Sequence, residues 1–126
     1  MTDGTASARL GRRGEELAAR YLQQAGHRVL ARNWRTGRRE LDIVTLDGAT
    51  VVFVEVKTRC PGPERSAEAL SPRQRRELRR AAEAWIHSHP GVGAEFRFDL
   101  VAVDLRPGNS PHVDHIPNAF YGEDVL

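Results

Sequence analysis

From Arg9 to Ala25 the apolar positions Leu10, Leu17, Ala18, Tyr21, Leu22 and Ala25 recur at helical spacing and define one buried stripe. Gly26 follows as a C-terminal stop. Residues 1–8 are small and polar and read as a flexible N-terminus. Val29 and Leu30 mark a short strand over His27–Asn33, and Thr36-Gly37-Arg38 a turn. Glu40–Leu46 has strand composition, Asp47-Gly48 is a hairpin signal, and Thr50–Lys57 is the clearest strand, rich in β-branched residues. Residues 58–70, with Pro61, Gly62 and Pro63, read as a loop. Ser71 and Pro72 open a second helix as N-cap and first turn, with a stripe of Leu78, Ala81, Ala82, Trp85 and Ile86 and a stop at Pro90-Gly91. Phe96–Leu105 is a further strand, Arg106–Pro111 a turn, and Val113–Ile116 a short last strand. The reading is one α/β domain over 9–121 with a tail at 122–126.

Composition agrees with a single soluble domain: 126 residues, 40% hydrophobic and 29% charged. No run of about 18 apolar residues is present, and Met1–Leu10 lacks the apolar stretch of a secretory signal, so the expected location is the cytoplasm. One cysteine, Cys60, excludes an intrachain disulfide and a multi-cysteine zinc site. Net charge is only +2, but it is divided: residues 1–80 carry 17 basic and 10 acidic side chains, and residues 81–126 carry 2 and 7. A basic surface of that kind suits a polyanion such as nucleic acid. Of the 19 basic residues 18 are Arg, and the one Lys is Lys57. An ammonium at one place only suggests a position where Arg would not serve, or simply codon bias.

Lys57 shares a strand face with Glu55, because side chains alternate. Val52, Val54 and Val56 take the other face, which is expected to be the core. Glu55 and Lys57 are either an ion pair on a solvated face or part of a site. Asp42, across the hairpin, and Glu40 beside it would bring more carboxylates to the same patch. Crowded carboxylates repel, and a divalent cation offsets that; Mg²⁺ takes one or two carboxylates, waters and phosphate oxygens. A neighbouring Lys can orient the attacking water and offset charge on the phosphate. The parts suit metal-dependent phosphodiester hydrolysis. Glu15, at the edge of the first helix's stripe, either faces that patch or complements the helix dipole.

Asp42 followed by Glu55-Val56-Lys57 resembles the D…(D/E)-x-K signature of the PD-(D/E)XK nuclease superfamily. A longer series occurs in order: Gly11-x-x-Gly14-Glu15, Asn33, Glu40-Leu41-Asp42-Ile43-Val44, Phe53-Val54-Glu55-Val56-Lys57-Thr58-Arg59, Arg97-Phe98-Asp99 and His115-Ile116-x-Asn118-Ala119-Phe120. Together these residues, spanning roughly 9–121, resemble the small bacterial YraN-like family, similar in fold to archaeal Holliday-junction resolvases and type II restriction enzymes. The resemblance implies a restriction-endonuclease-like αβββαβ core with a mixed sheet flanked by helices. It implies Mg²⁺ or Mn²⁺ held by Asp42, Glu55 and the Val56 carbonyl, with Glu40 as a further ligand. It implies Lys57 as the catalytic lysine and Glu15 as an acidic helper from the first helix. The chain departs from the pattern at Leu41, where the superfamily's proline would stand, at Arg39 in place of Gly, and at Gln74, where many members carry a Lys.

Arg73, Arg76 and Arg80 lie opposite the second helix's stripe, and with Arg12, Arg13, Arg38, Arg39 and Arg59 they form the candidate nucleic-acid surface. The same arginines suit a merely solvated face. Trp34 either stacks on a base or belongs to the core. His87, His89, His112 and His115 lack zinc spacing and read as surface. No Gly-rich phosphate loop points to a nucleotide cofactor. The expected function is a metal-dependent endonuclease-like protein acting on DNA, branched or structured, in repair or recombination, compatible with a homodimer and with no membrane attachment. The alternatives are a non-catalytic nucleic-acid-binding module and a protein-interaction subunit.

Overall fold

A computed structural model describes residues 6–59, 70–106 and 108–119. The order is α1 (Ala6–Gln24), β1 (Arg28–Thr36), β2 (Arg39–Asp47), β3 (Thr50–Arg59), α2 (Pro72–Ser88), β4 (Glu95–Asp104) and β5 (His112–Ile116). The five strands form one mixed sheet in the order β1-β2-β3-β4-β5. Only β3 and β4 run parallel. A parallel neighbour needs a crossover, and α2 supplies it. The αβββαβ core stands, with β5 added at the edge. Of the expected loop at 58–70, Thr58 and Arg59 instead extend β3, and residues 60–69 lie outside the described part, as do Cys60 and the tail.

The strand composition of β3 follows from its place at the centre. Val52 and Val54 pack with Ala18 and Leu22 of α1, while Val51 and Phe53 pack with Ala81, Ala82 and Trp85 of α2. Both faces are therefore core, not one as the alternation alone suggests, because the crossover helix covers the second face. Among the described residues no helix is long and apolar enough to cross a membrane.

Helix α1 begins earlier than the periodicity indicates, so residues 6–8 are helical and not a flexible lead. It lies close on β3 at Gly14, where an added methyl would overlap the Thr58 side chain. Gly14→Ala should gain about 1 kcal/mol of helix propensity elsewhere on a helix. Here overpacking against a stiff β-branched neighbour costs about 1–3 kcal/mol. The expected net result is destabilisation, relieved by Thr58→Ala in the double variant, read from urea midpoints. Stabilisation by Gly14→Ala alone would mean the helix and strand are further apart.

The start of α2 explains Gln74. Ser71 is the N-cap; its Oγ accepts from the Gln74 amide at 3.1 Å, and the Gln74 side-chain oxygen accepts from the Ser71 amide at 2.8 Å. This is a reciprocal capping box. A lysine there could not accept that hydrogen bond. Gln74 sits on the exposed side at the first turn, not against the apolar stripe.

A polar network lies between α1 and the β4–β5 edge, with Asp99 beside Val54 in the register and His115 beside Val101. Asp99 is fully buried and accepts from Arg97 (2.9 and 3.1 Å), from His115 Nε2 (2.7 Å) and from the Asn118 amide (3.1 Å). Tyr21 Oη lies 3.1 Å from His115 Nδ1. His115, expected at the surface, has a side chain only 13% exposed. His89 is half-buried too, stacked on Trp85 with ring centroids 4.1 Å apart. Trp34 packs against the α2-side core and His89, which favours the structural reading of that residue.

Candidate functional site

The site arises where two central strands part. Pairing of β2 with β3 ends at Ile43↔Val54. Beyond it the start of β2 pairs with β1 alone, to Thr36↔Arg39, and the end of β3 with β4 alone, to Arg59↔Asp104. The Val56 amide, which a continued ladder would have used, donates instead to Asp42 Oδ2 at 2.9 Å. A carboxylate thus terminates the ladder and is fixed beside Glu55.

Asp42 and Glu55 are half-buried and their side chains lie in hydrogen-bonding contact. Burial pushes Glu55 up to about 8, and the neighbouring Asp42 charge adds to the rise; Lys57 opposes it. Burial also raises Asp42, against the pull of the Val56 amide and Glu55. Two carboxyl groups in contact cannot both be charged cheaply, so each makes the other harder to ionise. A divalent cation answers the same need, and the donor set fits one: hard oxygen ligands with a backbone carbonyl at Val56 adjoining. Among the described residues no three His, Cys, Asp or Glu side chains group into a metal cage by themselves. Mg²⁺ and Mn²⁺ do not require one, since water and phosphate oxygens complete the shell.

Glu15 reaches the same place from α1. Burial first, then the charges of Asp42 and Glu40, raises its pKa, while Asn33 and Arg32 lower it. With its amide oriented to satisfy both neighbours, Asn33 donates to Glu15 Oε1 and to Glu40 Oε2, each at 3.1 Å. Asn33 has a left-handed backbone, φ 53°, which Asn adopts more readily than most residues. Glu40 also lies 3.7 Å from Arg35. The five sequence-selected residues Glu15, Glu40, Asp42, Glu55 and Lys57 therefore converge, within electrostatic reach of one another. Asn33, named in the family resemblance without a role, joins them as the amide that bridges Glu15 and Glu40.

The arginines divide. A cavity of about 410 Å³ beside Glu15 is lined by Arg9, Arg12, Arg13, Arg32 and Asn33. A second, of about 350 Å³, lies beside Glu40 and is lined by Arg38, Arg39 and Arg73 with Glu77. Arg39 is paired with Glu77 at 3.0 Å. Arg76 and Arg80 are exposed on α2 and line neither cavity, and Arg80 lies 3.9 Å from Glu77. Arg59 ends β3, two residues beyond Lys57.

The family model of uncharacterised protein family UPF0102 matches residues 14–103. A UPF0102 protein of Nocardia farcinica is 45% identical over 112 residues, 88% of each chain. One from Mycolicibacterium vanbaalenii is 45% identical over 117 residues, 92% of this chain and 97% of the relative. One from Anaeromyxobacter dehalogenans is 43% identical over 122 residues, 96% and 90%.

Proposed function

This chain belongs to the UPF0102 family, and we propose that it is a metal-dependent phosphodiester hydrolase of the PD-(D/E)XK type acting on DNA. The observation that carries the reading is the half-buried Asp42–Glu55 pair at the fork of β2 and β3, its Asp42 fixed by the Val56 amide, with the chain's one lysine on the same strand as Glu55. Asp42, Glu55 and the Val56 carbonyl hold Mg²⁺ or Mn²⁺, with Glu40 in reserve as a further ligand. A bound ion supplies Lewis-acid polarisation of a phosphoryl oxygen and a water of lowered pKa.

The chain's own residues do the rest. Partial burial of Asp42 and Glu55 reduces the screening of their charges by water. Lys57 presents a compact ammonium that orients the attacking water and offsets charge gathering on the phosphate. A guanidinium there would spread its charge over a plane and fill the space. Glu15, fixed through Asn33, accepts a hydrogen bond from the same water. A branched DNA substrate offers two strands to cut, so two copies related by symmetry would suit it.

Purified protein incubated with labelled duplex, flap, single-stranded and four-way-junction DNA in Mn²⁺ or Mg²⁺ tests the reading. Cleavage is expected, and Asp42→Asn and Lys57→Met should each lower its rate by on the order of 10²–10³-fold or more. DNA that is bound but uncut would point to a binding module, and DNA neither bound nor cut to an interaction subunit.

A further inference from the structure

We infer that one strand of the nucleic acid crosses the carboxylate cluster from one arginine-lined cavity to the other, so that backbone phosphates on both sides of the reacting one are gripped and cutting is internal. The inference rests on the hydrolase reading for the word cutting; the strand path rests on geometry alone.

Three observations carry it. The cavity of about 410 Å³ has four arginines, Arg9, Arg12 and Arg13 from the first turns of α1 and Arg32 from β1, and Glu15 of the cluster forms part of its wall. The cavity of about 350 Å³ has Arg38 and Arg39 at the β1–β2 turn and Arg73 at the start of α2, with Glu40 in its wall. One Asn33 amide nitrogen bonds both wall carboxylates, Glu15 and Glu40. The two cavities are therefore not separate patches. Glu15 in one wall and Glu40 in the other are both within electrostatic reach of Asp42, and the Asn33 amide spans the two.

Charge decides what fits. Both cavities hold more arginine than carboxylate, four against two and three against two. Arginine presents planar paired donors suited to phosphate oxygens. The acidic centre between them would repel a phosphate unless a cation sits there, and the flanking arginines hold the neighbouring phosphates without one. The α1 side carries the larger excess and is the stronger grip. A chain with a single phosphate, such as a mononucleotide, would engage one side only. A strand with phosphates before and after the reacting one engages both. Arg9 and Arg32 thereby join the binding surface, while Arg76 and Arg80, which helical spacing favours, fall outside it.

The test uses Lys57→Ala protein in Mg²⁺, so that DNA stays intact, and anisotropy titrations of a fluorescent 20-nucleotide DNA, as single strand and as duplex, over a range of salt. Arg9→Glu with Arg12→Glu addresses one cavity, and Arg38→Glu with Arg73→Glu the other. Arg20→Glu with Arg28→Glu makes the same charge change outside both. Each cavity pair should weaken binding by about tenfold or more and flatten the slope of log affinity against log salt by about 1–2, since each lost phosphate contact contributes roughly 0.7–0.9 to that slope. Together they should multiply. The outside pair should stay within about threefold. Loss from one cavity only, or an equal loss from the outside pair, overturns the strand path. End-labelled substrate cut by the wild type should give internal fragments; release of terminal mononucleotides alone overturns it too. Binding through both cavities with no cleavage by the wild type would uphold the path and sink the hydrolase instead.

Discussion

In the absence of divalent metal, stability is expected to fall as pH rises from about 5 to 8, with Tm dropping on the order of 10 °C. The sign follows from Glu55. Its carboxyl ionises at about 8 when folded and near 4.5 in the unfolded chain. Between those values the folded state holds a proton the unfolded state has lost, so rising pH favours unfolding. The contribution is fully present below pH 4.5 and is lost as pH passes the folded value. Asp42 and Glu15, also raised chiefly by burial, act in the same direction. His27 opposes them. Burial lowers its pKa from 6.5, so its contribution is present above pH 6.5 and lost on acidification. Only Glu55 among these is displaced far enough to dominate the window.

The same proton competes with the metal. Saturating Mg²⁺ or Mn²⁺ should raise Tm at pH 8 and remove most of the slope, and apparent affinity should climb by up to tenfold per pH unit below about 8. Calorimetry in buffers of different ionisation enthalpy should count close to one proton released per ion near neutrality. Glu55→Gln keeps a hydrogen bond to Asp42 without a titrating proton, so it should flatten the metal-free profile and abolish the metal effect. A wild-type Tm that is level from pH 5 to 8 in chelator would mean that the two carboxylates ionise freely, and the fork would lose its claim to a cation.

Much of this site could be read along the chain because its parts lie on short, strongly patterned segments. β3 is a run of β-branched residues interrupted by Glu55 and Lys57, and such interruptions are costly without a purpose. The Asp47-Gly48 hairpin then fixes which residue of β2 lies near them. Ser71-Pro72 announced α2 to the residue, since cap chemistry is local. What escaped was set by tertiary placement. The resemblance named Asn33 but not its role, and Arg32 beside it lies in a polar half of β1 with no periodicity to mark it; only the approach of α1 brings the two to Glu15. His115 looked like surface because β5 is short and its partner Asp99 lies sixteen residues away. The second core face was hidden because alternation on β3 cannot show that a later helix covers Val51 and Phe53.

Asp99→Ala is expected to cost about 3–5 kcal/mol of stability, the usual penalty for removing one member of a buried charged network. In a domain stabilised by about 5–15 kcal/mol this is a large fraction. The Asp99 side chain has no solvent exposure. Burial alone would raise its pKa, and the hydrogen bonds from His115, Arg97 and the Asn118 amide more than reverse that, holding it below the usual 3.8. Its removal takes that acceptor from His115 Nε2 and the Asn118 amide and leaves Arg97 with Asp47 alone. It also frees His115, whose Nδ1 meets Tyr21 Oη and so joins α1 to the far edge of the sheet. Asp99→Asn keeps the shape but not the charge and should cost less, about 1–3 kcal/mol. Because the Asp99 pKa is lowered on folding, its stabilising effect is present above pH 3.8 and disappears as pH falls through the folded value. Urea unfolding of wild type and Asp99→Ala at pH 7 and at pH 3 should therefore show a wide gap at the first and a narrower one at the second. A gap under about 1 kcal/mol at pH 7 would mean that packing, not this network, holds β5 and α1 to the sheet. A gap that stays constant on acidification would mean that Asp99 contributes by shape alone.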